Sequence, residues 1–94
     1  MADVFKALAD QTRRLILDEL AARDGQTLFE ICSLLTARHG VGSSRQAISQ
    51  HLAVLEAAGL VTVQRQGRSK LHYFHSEPLA DITQRWLNPR KDTR

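Results

Sequence analysis

The 94-residue chain predicts a mainly α fold with one small β-hairpin, in the order α-α-α-α-β-β-α. Three features predict it. Apolar residues recur at helical spacing through four successive segments, most of them marked by a capping residue or a closing glycine. After Gly59 the period switches from helical to alternating, as a pair of strands requires. Beyond Glu77-Pro78 it becomes helical again.

Length and composition bound the rest. Ninety-four residues make one domain spanning 1–94, and 43% hydrophobic with 24% charged residues is a globular balance. A core of that size is small enough for dimerisation to help by burying more apolar surface. No apolar run approaches membrane-spanning length, and the opening MADVFKALAD lacks the basic and long apolar regions of a signal peptide. A cytoplasmic protein with no membrane partner is expected. The single cysteine, Cys32, cannot pair within the chain, which agrees with a reducing compartment.

Residues 2–9, ADVFKALA, form a short amphipathic segment with Val4, Phe5 and Leu8 on one side. It is too short to persist alone as a helix and must pack on something. Asp10 caps a second helix over 11–22, whose stripe is Leu15, Ile16 and Leu20, and Asp24-Gly25 closes it. Arg13 and Arg14 fall in its first turn, where positive charge opposes the helix dipole, so they are left to solvent or to a phosphate partner. Thr27 and Glu30 make a capping box for a third helix over 28–38, with Leu28, Ile31, Leu34 and Leu35 apolar and Cys32 beside them as a small core residue. His39-Gly40-Val41-Gly42 breaks it.

The fourth helix, 44–58, is the stretch that carries chemistry. Ser43 and Ser44 are good caps, Gln46 lies at capping-box spacing from Ser43, and Gly59 closes the end. Ile48, Leu52 and Leu55 form the apolar face, while Gln46, Ser49, Gln50 and Ala53 project oppositely. A merely solvated face would more often carry Glu and Lys. One of Gln and Ser, opened by Arg45, has the donors and acceptors that match base edges.

Next, residues 60–65 read as a strand, 66–68 as a turn and 70–75 as the returning strand, so that 60–75 makes a hairpin with Arg65, Arg68 and Lys70 at its tip. Two strands alone are marginal, and the hairpin must lean on the helices with its basic tip extended. Ser76 and Glu77-Pro78 open a last helix over 79–87 that carries Leu79, Ile82 and Trp86 on one face; Asn88-Pro89 stops it before a charged tail. The net charge is only +3, yet residues 31–76 hold five Lys/Arg against the lone acid Glu56. A polyanion is the natural partner of that segment. A basic hairpin directly after a Gln/Ser-faced helix is the layout of a winged helix-turn-helix, with 44–58 as recognition helix and 60–75 as wing.

FKALADQTRRLILDEL resembles the opening of the ArsR family of bacterial winged helix-turn-helix repressors. SRQAISQHLAVLEAAGLV is similar to that family's recognition helix and first wing strand, and GRSKLHYF followed by EPL to its second wing strand and final helix. The likeness runs from Val4 to Leu87. It implies a homodimeric transcriptional repressor whose first and last helices, 1–9 and 79–87, pair across a two-fold axis. It also places Arg45, Gln46, Ser49 and Gln50 in the base-contacting region. Two departures stand against it. The connection TARHGVGSS is longer than the family's tight turn, and the metal ligands many members carry are reduced to Cys32 in the third helix and Asp81, without histidine, in the last.

No phosphate-cradling glycine loop, H-E-x-x-H or CxxC is present, and His39, His51, His72 and His75 do not cluster with carboxylates at ligand spacing. His72 and His75 face opposite ways on one strand, and His51 borders the core side of its helix as a packed or phosphate-contacting residue. Neither an enzyme nor a protein with a metal or other cofactor is expected. Three readings remain: a homodimeric repressor binding an inverted-repeat double-stranded DNA operator, a winged-helix module binding protein or RNA, and a metal-dependent sensor with ligands from both subunits. For the first, Val4, Phe5 and Leu8 with Leu79, Ile82 and Trp86 are the expected dimer interface, being apolar faces that flank a helix-turn-helix core able to close without them.

Overall fold

In the computed structural model, which describes residues 3–86, five helices surround a buried core and one hairpin leans against them. The Leu87 end of the last helix, the stop at Asn88-Pro89, the tail and the Trp86 side chain lie outside the described residues.

Helix α1, Val4–Leu8, is shorter than the segment 2–9 and begins where the Asp3 side chain accepts the Phe5 N–H at 2.9 Å. Helix α2, Gln11–Ala22, starts at Asp10, whose carboxylate accepts the Arg13 N–H. That bond holds the Asp10 carboxyl below the usual carboxylate range, against the opposing effect of desolvation. Arg13, half-buried, and Arg14, exposed, are both also engaged within the fold. Arg13 donates through Nε to the Ala7 carbonyl at 2.7 Å and through Nη2 to that of Lys6 at 3.2 Å, and Arg14 donates to the Leu8 carbonyl at 2.6 Å. These are the last carbonyls of α1, so both cations close the negative end of a helix too short to hold itself.

Helix α3, Leu28–His39, has the expected capping box: Glu30 N–H donates to the Thr27 hydroxyl and Thr27 N–H to Glu30 Oε1. It runs one residue past the expected end because Gly40 supplies a left-handed cap. Its end is bound to α2 through Glu19, a buried carboxylate 2.9 Å from His39 Nε2 and 3.5 Å from Arg38. Helix α4, Arg45–Ala57, is capped by Ser44, which accepts the Ala47 N–H at 3.1 Å. The cap therefore sits one residue later than Ser43 and leaves Gln46 out of any capping box. At the other end Gly59, at φ +81, lets Leu60 N–H reach the Leu55 carbonyl and its own N–H reach that of Glu56. The helix thus closes in a Schellman motif, in a conformation that costs glycine least.

Ile16, Leu20, Ile31, Leu35, Ile48, Leu55 and Leu60 are fully or almost fully buried together. At roughly 1.5–3 kcal/mol for each such side chain, this cluster fixes how α4 sits on α2 and α3. In α2 the buried positions are Ile16, Leu17 and Leu20, while Leu15 lies at the margin. The α2 stripe is thus rotated slightly from the one its spacing suggests.

Strands β1, Val61–Gln66, and β2, Ser69–Phe74, pair antiparallel with Val61 opposite Phe74 and Gln66 opposite Ser69. Each is shifted by one residue from the expected ranges, because Leu60 is held in the helix closure and the turn takes only Gly67 and Arg68. The hairpin is bound to the helices by Gln26, which forms a bridge with His72: His72 N–H donates to the Gln26 carbonyl at 2.8 Å and Gln26 N–H donates back at 3.2 Å. Asp24 accepts the Phe74 N–H at 2.8 Å beside it. The fully buried Gln26 side chain also donates from Nε2 to the Glu19 and Arg23 carbonyls at the end of α2. Helix α5, Glu77–Trp86, then leaves the hairpin with Pro78 in its first turn.

Because Gln26 both caps α2 and pairs with the hairpin, Gln26→Ala is expected to lower unfolding stability by about 2 kcal/mol, two lost bonds to buried carbonyls. Urea denaturation should show the lower midpoint for Gln26→Ala and almost none for the exposed Gln66→Ala. Equal midpoints would remove Gln26 from this role.

Candidate nucleic-acid interface

Burying Ile48, Leu52 and Leu55 turns the opposite side of α4 outward, and Gln46, Ser49, Gln50 and Ala53 are all exposed there with Arg45 at the first helical position. Short uncharged side chains leave the helix slender and its donors and acceptors unspent. The hairpin stands next to this face. Its register sets Arg65 directly opposite Lys70, and Arg68 occupies the turn. Like charges facing each other across strands are destabilising, and no ion pair among the described residues involves Arg45, Arg65, Arg68 or Lys70. An anion laid against the tip relieves that repulsion.

The fold brings some of the expected residues together and separates others. Ser49 and Ala53 of α4 share a groove with Arg68, Ser69 and Lys70 of the hairpin, floored by Leu28, Leu52 and Val63. Glu56 is the acid in that groove. Arg45 lies apart in a shallower groove over α3 with Phe29, Cys32 and Thr36. Gln46, Gln50 and Arg65 line neither. Phe29 is missing from the sequence reading, although its phase marks it: it falls off the Leu28, Ile31 and Leu35 stripe, and it is 63% exposed. Burial pushes the Cys32 thiol up, with the nearby Arg45 charge opposing the shift.

Two histidines have their protons assigned by their partners. Arg13 Nη1 lies 3.1 Å from His51 Nδ1, and a guanidinium can only donate, so Nδ1 of His51 accepts. His72 is 7% exposed and its Nδ1 lies 2.8 Å from the Gln26 carbonyl, which can only accept, so Nδ1 of His72 carries the proton. His75 instead faces outward, 3.2 Å from Glu77. Among the described residues no three His, Cys, Asp or Glu side chains gather as metal ligands do.

At the other end of the domain, Val4, Phe5 and Ile82 line one groove between α1 and α5, with Asp81 and Arg85 at its rim. Phe5 is 52% exposed. Val4, Leu8 and Leu79 also pack against the margin of the core, so this domain uses them itself, unlike the self-sufficient core expected from the spacing. No helix among the described residues is long and apolar enough to cross a membrane.

A family model described as a helix-turn-helix domain matches residues 8–64. An uncharacterized HTH-type transcriptional regulator of Bacillus subtilis strain 168, YuzN, is 48% identical over 84 residues, 89% of this chain and 91% of the relative. The transcriptional repressor SdpR of the same organism is 35% identical over 94% of this chain and 90% of its own. Among solved structures, an ArsR-like transcriptional regulator from Rhodococcus sp. RHA1 superposes with a TM-score of 0.78 at 31% identity, covering 95% of this chain and 75% of that one. The chain belongs to the ArsR family of winged helix-turn-helix transcriptional regulators. A further structure, the homodimeric winged helix-turn-helix DNA-binding domain of Mb0332 from Mycobacterium bovis, matches with a TM-score of 0.67 at 25% identity over 97% of this chain and 79% of that one. In this ArsR-family chain the connection from α3 to α4 spans residues 40–44, since the first four residues of TARHGVGSS belong to α3 and Gly40 caps it.

The partners of the two histidines lead to opposite neutral tautomers. Long-range proton–nitrogen correlation spectra above neutral pH should show His51 protonated on Nε2 and His72 on Nδ1. The same tautomer in both would mean that one of these contacts is absent in solution.

Proposed function

We propose that this regulator is a homodimeric repressor that reads an inverted-repeat DNA operator without a metal cofactor. The observation that carries the reading is the juxtaposition of an uncharged polar helix face with cations that take part in no ion pair among the described residues. In this assignment Gln46, Ser49 and Gln50 reach base edges in the major groove, with Arg45 at the helix entrance, because a glutamine can pair bidentately with adenine. Arg65, Arg68 and Lys70 hold phosphates or the minor groove, positioning the helix without carrying a base code of their own.

Dimerisation is assigned to the groove between α1 and α5. Exposed Phe5 and half-buried Val4 and Ile82 form an apolar patch beside the core-marginal Leu8 and Leu79, and such patches mark interfaces. Trp86, expected at the interface from the sequence, has its side chain outside the described residues. The homodimeric Mb0332 domain supports the assembly, and the repressor SdpR supports the direction of regulation. A two-fold dimer presents two reading helices, so half-sites separated by about one turn of DNA, some 10 to 10.5 bp, are expected.

Selection from random duplex DNA should recover an inverted repeat, and Gln50→Ala should flatten preference at one position of each half-site, by about 1–3 kcal/mol of discrimination. If matched and mismatched duplexes weaken equally, Gln50 does not read a base. Independently, Ile82→Asp should sediment as a monomer and bind the full repeat at least tenfold more weakly, about 1.4 kcal/mol or more. A wild-type chain that is monomeric at micromolar concentration, or that binds a half-site as tightly as the repeat, sinks the dimer.

A further inference from the structure

Phe29 is the second residue of α3 and the most exposed of the large apolar side chains described, at 63%. At that exposure it stands outside the buried core cluster, and packing inside the domain accounts for little of it. What it touches is a charge. The Arg45 guanidinium carbon lies 5.7 Å from the centroid of the Phe29 ring, within the range where a ring quadrupole attracts a cation.

Arg45 needs such a partner. It is the first residue of α4, where positive charge opposes the helix dipole, and it takes part in none of the ion pairs described. Arg45 also lines the shallow groove over α3 with Cys32, one turn along from Phe29. A guanidinium held by its face keeps its N–H donors in the plane, pointing outward for phosphate or guanine. An unrestrained arginine would instead lose side-chain freedom when it met DNA. On its other flank the ring borders the groove that holds Ser49, Arg68 and Lys70. Phe29 therefore sits between the entrance of α4 and the wing.

We propose that Phe29 is a positioning residue for DNA binding, its ring holding the face of the Arg45 guanidinium so that the N–H edge is presented to the duplex. This rests on α4 being the reading helix. It assigns to α3 a part in recognition that its buried stripe does not disclose, and the role depends on an aromatic ring where another apolar side chain would fill the same space.

The test uses the full-length chain and the duplex enriched by selection. Phe29→Ala should weaken binding about two- to fivefold, Phe29→Leu should do the same, and Phe29→Tyr, which keeps the ring, should bind like the wild type. Thermal unfolding should be unchanged in all three. In an Arg45→Ala background, itself weakened by more than Phe29→Ala alone, removing Phe29 should have no further effect. Phe29→Leu binding as tightly as Phe29→Tyr, or Phe29→Ala losing affinity equally with and without Arg45, overturns the proposal, the second result assigning the ring a direct DNA contact. If Arg45→Ala weakens binding while Phe29→Ala does not, only the positioning role is lost. If Arg45→Ala binds like the wild type, that role and the placing of Arg45 at DNA fail together, whereas Gln50→Ala still tests α4 as the reading helix.

Discussion

The attachment of the hairpin beside α4 depends on Gln26. Its backbone pairs with His72 of β2 and its side chain closes the last carbonyls of α2, so one buried residue joins the wing to the helices. A two-stranded hairpin is marginal by itself in water. Pairing a third segment along β2, reinforced by the Asp24 carboxylate on Phe74 N–H, converts the hairpin into a fixed neighbour of α4. Without that attachment the cations at the tip would have no defined distance from the polar face of α4, and the two could not act as one surface.

Charge is distributed so that the positive field remains on that surface. Arg38 and His39, which the chain places just ahead of α4, are engaged by the buried Glu19, and Arg13 and Arg14 are engaged by carbonyls of α1. These cations have structural work to perform. Arg65, Arg68 and Lys70 take part in no ion pair among the described residues, and Arg65 faces Lys70 across the hairpin. The same contrast separates Arg45, which rests on an aromatic face and keeps its donors, from the arginines whose donors are consumed inside the fold.

Arg13 has a second consequence. Its guanidinium reaches the carbonyls of α1 on one side and His51 of α4 on the other, so the segment assigned to the dimer and the helix assigned to DNA share a single polar contact. The groove between α1 and α5 is in this way connected to α4 through hydrogen bonds as well as through the apolar margin formed by Val4, Leu8 and Leu79.

Helix spacing, caps and the change of period after Gly59 determined the order of elements from the chain alone, because these signals are local: Asp10, Thr27 with Glu30, and Gly59 act within a few residues of themselves. The exposed set Arg45, Gln46, Ser49 and Gln50 was legible for the same reason, since burying Ile48, Leu52 and Leu55 leaves only one side of α4 to solvent. Ser43 and Ser44 both read as good caps, and the backbone decides between them: Ser44 is extended and accepts the Ala47 N–H on leaving a five-residue connection. Other features were decided only by tertiary structure. The carbonyls that engage Arg13 and Arg14 come from α1 folding back on α2, and the partner of Gln26 lies 46 positions later on β2. Phe29 drew no reading from the chain, and its partner Arg45 comes from the next helix. In each case the partner is distant in sequence, and a chain pattern cannot state which of several buried donors, carbonyls or rings will be brought within 3 to 6 Å.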